Sequence, residues 1–168
     1  MIPDACDDRP ALRREGVRFG AAVYGSFLVA SVVGVASEAG QDARLMTMAS
    51  FGSAVVFWLA HWWSEVVGEQ IEDGERFRRR DALAIARREW PLVESALVPT
   101  LFLALAWAGV WSRETGVGLA LGAAVLQITG WALVAGRRTG GTWLRAGVFA
   151  AVEASLGIAL LLLEKAIH

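Results

Sequence analysis

One cysteine and two histidines in 168 residues remove whole classes of chemistry at the outset. A lone Cys6 cannot close an internal disulfide, and no apolar run precedes it as a lipoprotein anchor would require, so it reads as an inert thiol on an N-terminal tail. Metal binding wants three or four protein ligands, and beyond His61 the only other histidine is His168 at the far end of the chain. His61 and Glu65 share a helix face, but a third ligand would have to be Glu94 or Glu153 brought in by packing, so we expect no metal and no cofactor. The chain also lacks a G-x-S-x-G elbow, an H-E-x-x-H helix and a glycine-rich phosphate loop; GRRTGG at 136–141 is a short arginine-bearing turn. An enzyme is not expected. Net charge is nearly absent too, and a formal charge of -1 with a pI near 6.1 gives no whole-chain reason for a nucleic-acid partner.

What the chain has in abundance is apolar surface. At 55% hydrophobic residues and a mean hydropathy of +0.46, it is greasier than a water-facing fold of this size. Five apolar segments follow one another at 17–37, 45–67, 91–111, 116–136 and 142–163, each close to the roughly 20 residues a helix needs to cross about 30 Å of hydrocarbon. The expected fold is all-α: a polytopic transmembrane bundle of five helices, with 1–16 as a cytoplasmic tail and 17–168 as a single membrane domain. The first segment is too long for a signal-peptide core and no clean A-x-A site follows it, so it stays in the mature chain.

The one long connector, 68–90, carries six arginines and six acids and sums to zero. Glu72/Arg76 and Glu75/Arg79 have the favourable spacing of four, which predicts a salt-bridged helix or a helical extension of the second segment. Within it Arg76, Arg78, Arg79 and Arg80 form a local basic cluster that could touch anionic headgroups, although the zero sum weakens a polybasic lipid switch. Positive charge also sets orientation. Arginines at 9, 13, 14 and 18, in the connector, and at 137, 138 and 145 all fall on one side, and only Arg44, Arg113 and Lys165 fall on the other. That predicts an N-terminus in the cytoplasm and a C-terminus outside. Trp90, Trp111 and Trp143 lie at segment ends, and Trp62 and Trp63 near the end of the second, as interfacial anchors would.

Alternating spacings of four and three place each buried-segment polar residue on a stripe of small neighbours. The stripes are Gly20, Tyr24, Phe27, Ser31, Gly34; Ser50, Ala54, Phe57, His61, Ser64, Gly68; Gly116, Ala120, Ala123, Gln127, Gly130; and Ala146, Ala150, Glu153, Gly157, Leu160. Small residues let membrane helices approach closely, so His61, Gln127 and Glu153 are expected to point into the bundle. At about 1.5 Å per residue, Glu65 and Glu94 fall within a turn of the cytoplasmic interface, His61 a turn deeper, and Gln127 with Glu153 near the midplane. Pro99 should kink the third segment close to that depth.

Glu153 poses the sharpest question, since a charge at the centre of a membrane helix costs on the order of 3 kcal/mol. Either it stays protonated and donates a hydrogen bond to Gln127, which is structural, or it ionises beside water or a cation, which makes it a carrier site. His61 has the same two readings, a neutral ring satisfied by a carbonyl or by Glu94, or a relay.

FWLAHWWSE at 57–65, the charged connector, and REWPLVESALVP at 88–99 together resemble a group of small five-span integral membrane proteins of high-GC bacteria, of uncharacterised function. The resemblance covers most of the chain and implies a multi-pass protein of the bacterial plasma membrane; it brings no activity with it. Two functions follow as expectations. One is a non-enzymatic membrane component or interaction scaffold, with the lipid bilayer, a second copy, or a protein recruited through the connector as partners. The other is a proton- or cation-linked pathway through Glu65, Glu94, His61 and Glu153.

Overall fold

The computed structural model describes residues 9–73 and 78–138 and the single positions 147, 148, 151 and 155. Its elements are all helices: α1 (Arg9–Glu38), α2 (Ala43–Asp73), α3 (Arg79–Glu89), α4 (Pro91–Trp107) and α5 (Arg113–Arg138). Four helical runs are long and apolar enough to cross a membrane: Gly20–Glu38, Ala43–Glu72, Arg79–Trp107 and Arg113–Val134. The third joins α3 to α4. The fifth expected segment, 142–163, lies outside the described residues apart from those four isolated positions, and so does the tail bearing Cys6.

Sequence explains where the helices stop. After α1, Gly40 takes a φ of 69° that a side chain would resist. Its N–H donates to the Ser37 carbonyl at 3.1 Å and that of Gln41 to Ala36 at 3.0 Å, which satisfies the orphan carbonyls in a Schellman closure. Gly109, at φ 78°, does the same after α4: the Gly109 N–H reaches Ala106 at 3.0 Å and the Val110 N–H reaches Leu105 at 3.0 Å. This closure ends the helix at Trp107, four residues before the limit that hydropathy suggests. Asp42 accepts from the Leu45 N–H at 2.7 Å and starts α2. Pro91 begins α4, where its missing N–H costs nothing. Pro99 lies within α4, which runs unbroken from Pro91 to Trp107.

The α4 helix is the centre of the bundle, packing on α1, α2 and α5, while α3 lies against α2 and α1. Half of the apolar window of the run containing α4 is buried, 50% against 17% for α2. Val29, Val33, Met46, Leu92, Ala96, Leu103 and Ala120 form the shared core. Contact between α1 and α4 is backbone-close at Gly25, where an added Cβ would fall 2.6 Å from the Leu92 carbonyl oxygen.

Two of the expected stripes need correction. On α2 the inward line is Met46, Ser50, Ala54, then half-buried Trp58 and Trp62, a repeat of four throughout. A row of fours winds around the helix by about 40° per step, whereas alternating fours and threes stays nearly straight. Phe57, His61, Ser64 and Gly68 are therefore exposed, and His61 does not point into the bundle. On α1 the buried positions are Ala21, Ala22, Gly25, Ser26, Val29, Val33 and Gly34, leaving Gly20 and Tyr24 exposed. The small residues do face the neighbours, but along a different line. On α5 the buried row is Gly116, Ala120, Ala124, Ile128 and Ala132, again in fours, with Ala123, Gln127 and Gly130 half-buried beside it.

Candidate functional site

Of the polar residues singled out by sequence, His61, Glu65 and Glu94 are exposed and Gln127 is half-buried. Glu65 is bound by Arg88, whose Nη2 donates to Glu65 Oε2 at 2.6 Å. His61 is exposed, its ring 6.0 Å from that of Tyr24, which also meets Phe57 edge-on at 6.2 Å. Among the described residues His61 and Glu94 make no hydrogen bond to one another, and Glu94 is exposed. Gln127 is half-buried on α5, and its Oε1 is fully shielded with no partner among the described residues. Glu153 and Arg76 lie outside the described residues; Arg78, Arg79 and Arg80 are exposed. Metal-ligating groups of three or more His, Cys, Asp or Glu do not occur among the described residues.

Five hydroxyls in the described helices bond to their own backbone, which satisfies them without water. Ser26 donates to Ala22, Ser31 to Phe27, Thr47 to Ala43, Ser95 to Leu92 and Thr129 to Val125. Ser50 Oγ and Thr100 Oγ1 are buried with no partner among the described residues, as is Gln127 Oε1.

The polar cluster that the structure does assemble is at the junction of α2 and α3. Trp58 Nε1 donates to the Ala86 carbonyl at 3.0 Å and Trp62 Nε1 to the Ala82 carbonyl at 2.8 Å. Donors four apart on α2 thus meet acceptors four apart on α3. Trp58 stacks on Trp62 at 6.4 Å, and Trp90 meets its edge at 5.3 Å. The belt reading of Trp62 is thereby revised: its N–H serves a neighbouring helix, while Trp63 remains exposed. Trp111 is also tied within the chain, donating to the Phe102 carbonyl at 3.1 Å.

Arg88 is the hub of this junction. Besides Glu65 it reaches Glu69 at 3.5 Å and Glu89 at 3.1 Å, and Glu89 is buried. Sequence reading passed over Glu89 because it looked like one more acid in a balanced connector. One signal was available: Glu89 immediately precedes the Trp-Pro step that opens an apolar run, so the helix start carries it toward the membrane domain.

Comparison of the chain with protein-family models, with curated proteins and with solved structures gives no match.

Proposed function

We propose that the chain is a non-enzymatic integral membrane component, a five-span protein of the bacterial plasma membrane with its N-terminus in the cytoplasm, that works by associating with another membrane helix or a second copy. One observation carries this reading. Gly20 and Tyr24 of α1 and Phe57, His61, Ser64 and Gly68 of α2 are all exposed, and ring contacts from Tyr24 to Phe57 and His61 join them into one surface. No described residue comes within 4 Å of a Cβ built at Gly20 or Gly68. A histidine and a tyrosine left against hydrocarbon are costly, and small residues beside them admit a close partner helix that would satisfy both.

Cysteine cross-linking in native membranes tests the reading. In a Cys6→Ser background, Ser64→Cys should form a disulfide-linked dimer or an adduct, and Leu59→Cys, exposed on the opposite side of α2, should not. Absence of any product at Ser64 overturns it.

The proton or cation pathway keeps one supporting observation, the Gln127 Oε1 near mid-span, which has no partner among the described residues. Under that reading proteoliposomes show flux that vanishes in Glu153→Gln and falls in His61→Leu. No flux above empty liposomes sinks it.

A further inference from the structure

The connector is neutral in sequence and polarised in space. Of the two acids on α3, Glu89 is buried against Arg88, and Asp81 is taken up by the helix start, where its Oδ2 accepts from the Arg78 N–H at 2.8 Å and its Oδ1 lies 3.7 Å from Arg80 Nε. The exposed residues of the helix are Arg79, Arg80, Leu83, Ala84 and Arg87, followed by Trp90 at its end. At about 100° per residue these fall within a single arc of about 140° that contains three guanidinium groups and no carboxylate. Folding has moved the negative charge off this face.

Two further facts fix what the arc meets. Its helix is docked on Trp58 and Trp62, which belong to the apolar run of α2, and continues through Trp90 directly into α4. It therefore sits at the boundary of the hydrocarbon and not out on a water-facing stalk. The arc also mixes exposed Leu83 and Trp90 with the arginines. Apolar groups flanked by guanidinium forks suit the headgroup plane, where the rings and methyls enter the acyl boundary and the forks grip phosphate oxygens in pairs.

We propose that the exposed arc of α3, formed by Arg79, Arg80, Leu83, Arg87 and Trp90, is a binding surface for anionic lipid headgroups. It rests on α2 and α4 crossing a bilayer, and it is independent of the association surface on α1 and α2.

The test uses the full chain with Cys6→Ser and Leu83→Cys carrying a nitroxide, reconstituted in nanodiscs of phosphatidylcholine alone or mixed with phosphatidylglycerol. The readout is the ratio of collisions with oxygen, which partitions into lipid, to collisions with a water-soluble nickel chelate. The ratio at 83 should rise several-fold in the mixed discs and fall back in high salt, which screens headgroup charge. The triple variant Arg79→Gln, Arg80→Gln, Arg87→Gln should hold the phosphatidylcholine value in both lipids. If that variant does not fold, the salt response of the native arginines carries the same decision. A label equally water-accessible in both lipids overturns the proposal and leaves the arc to an acidic protein surface. Equal lipid exposure in both overturns headgroup recognition, and an equal rise at a control label on Ile71→Cys overturns localisation to α3. Failure of the chain to enter discs at all would instead defeat the membrane reading beneath it.

Discussion

Where α1 turns into α2 and α4 into α5, glycines at 40 and 109 close the helices with backbone bonds, and Arg113 adds one bridge by donating to the carbonyls of Ser37 at 2.8 Å and Gln41 at 2.7 Å. Where α2 meets α3, the contact depends on side chains instead: two indoles reach helix carbonyls and one arginine serves three carboxylates. The first end satisfies its helix termini with local backbone bonds and adds a single long-range side chain, Arg113, 72 to 76 residues from its acceptors. The second rests on five side-chain bonds, four linking positions 19 to 28 apart and a fifth that gives the buried Glu89 its partner in the adjacent Arg88. Loss of a side chain should therefore be felt more at the α3 end.

The largest test of that difference is Arg88→Ala. It strands the buried Glu89 carboxylate without its partner, and breaking such a pair costs about 3 kcal/mol or more. Unfolding in mixed micelles should show the loss, and adding Glu89→Ala should restore much of it. A loss well below that would mean water reaches Glu89, and the two ends would not differ. At the turn end, Arg113→Ala should cost about 1–2 kcal/mol by the same measurement, because water can replace a donor at partly exposed carbonyls. An effect equal to that of Arg88→Ala would reverse the comparison. The smallest effect is expected from Trp62→Phe, which keeps an aromatic ring, though a smaller one, and removes one N–H bond worth about 1 kcal/mol or less. It should appear as faster hydrogen exchange of the α3 amides with α5 unchanged; an unaltered α3 would assign its docking to Arg88 alone.

The four long apolar helices among the described residues are legible in the sequence, because a length able to cross a bilayer shows directly as an apolar run. Faces are less so. The stripe through His61 assumes that two helices stay side by side for their whole length, but α2 changes neighbour from α4 to α3 partway along, and its buried row turns with it. No periodicity within α2 announces that change, since the information lies in where α3 returns. Gln127, expected on the inward stripe of α5, lies half-buried beside the row that is buried. Net charge misled most. A sum over 68–90 discards position, and the distinction between Glu89 buried and Arg87 exposed exists only once a helix has two sides.

Gly25 has a mechanical consequence. At the level of Gly25 the Leu92 backbone and the Ser95 side chain occupy the space a side chain would fill, so α1 and α4 meet there without a layer of larger side chains, and a displacement of one bears directly on the other. The compliance of the bundle belongs to α2, which has the smallest buried share of the four spans and is steadied at the far end by indole bonds and an arginine. A partner pressing on the Tyr24 and His61 surface would meet a stiff wall on the α1 side and a yielding one on the α2 side.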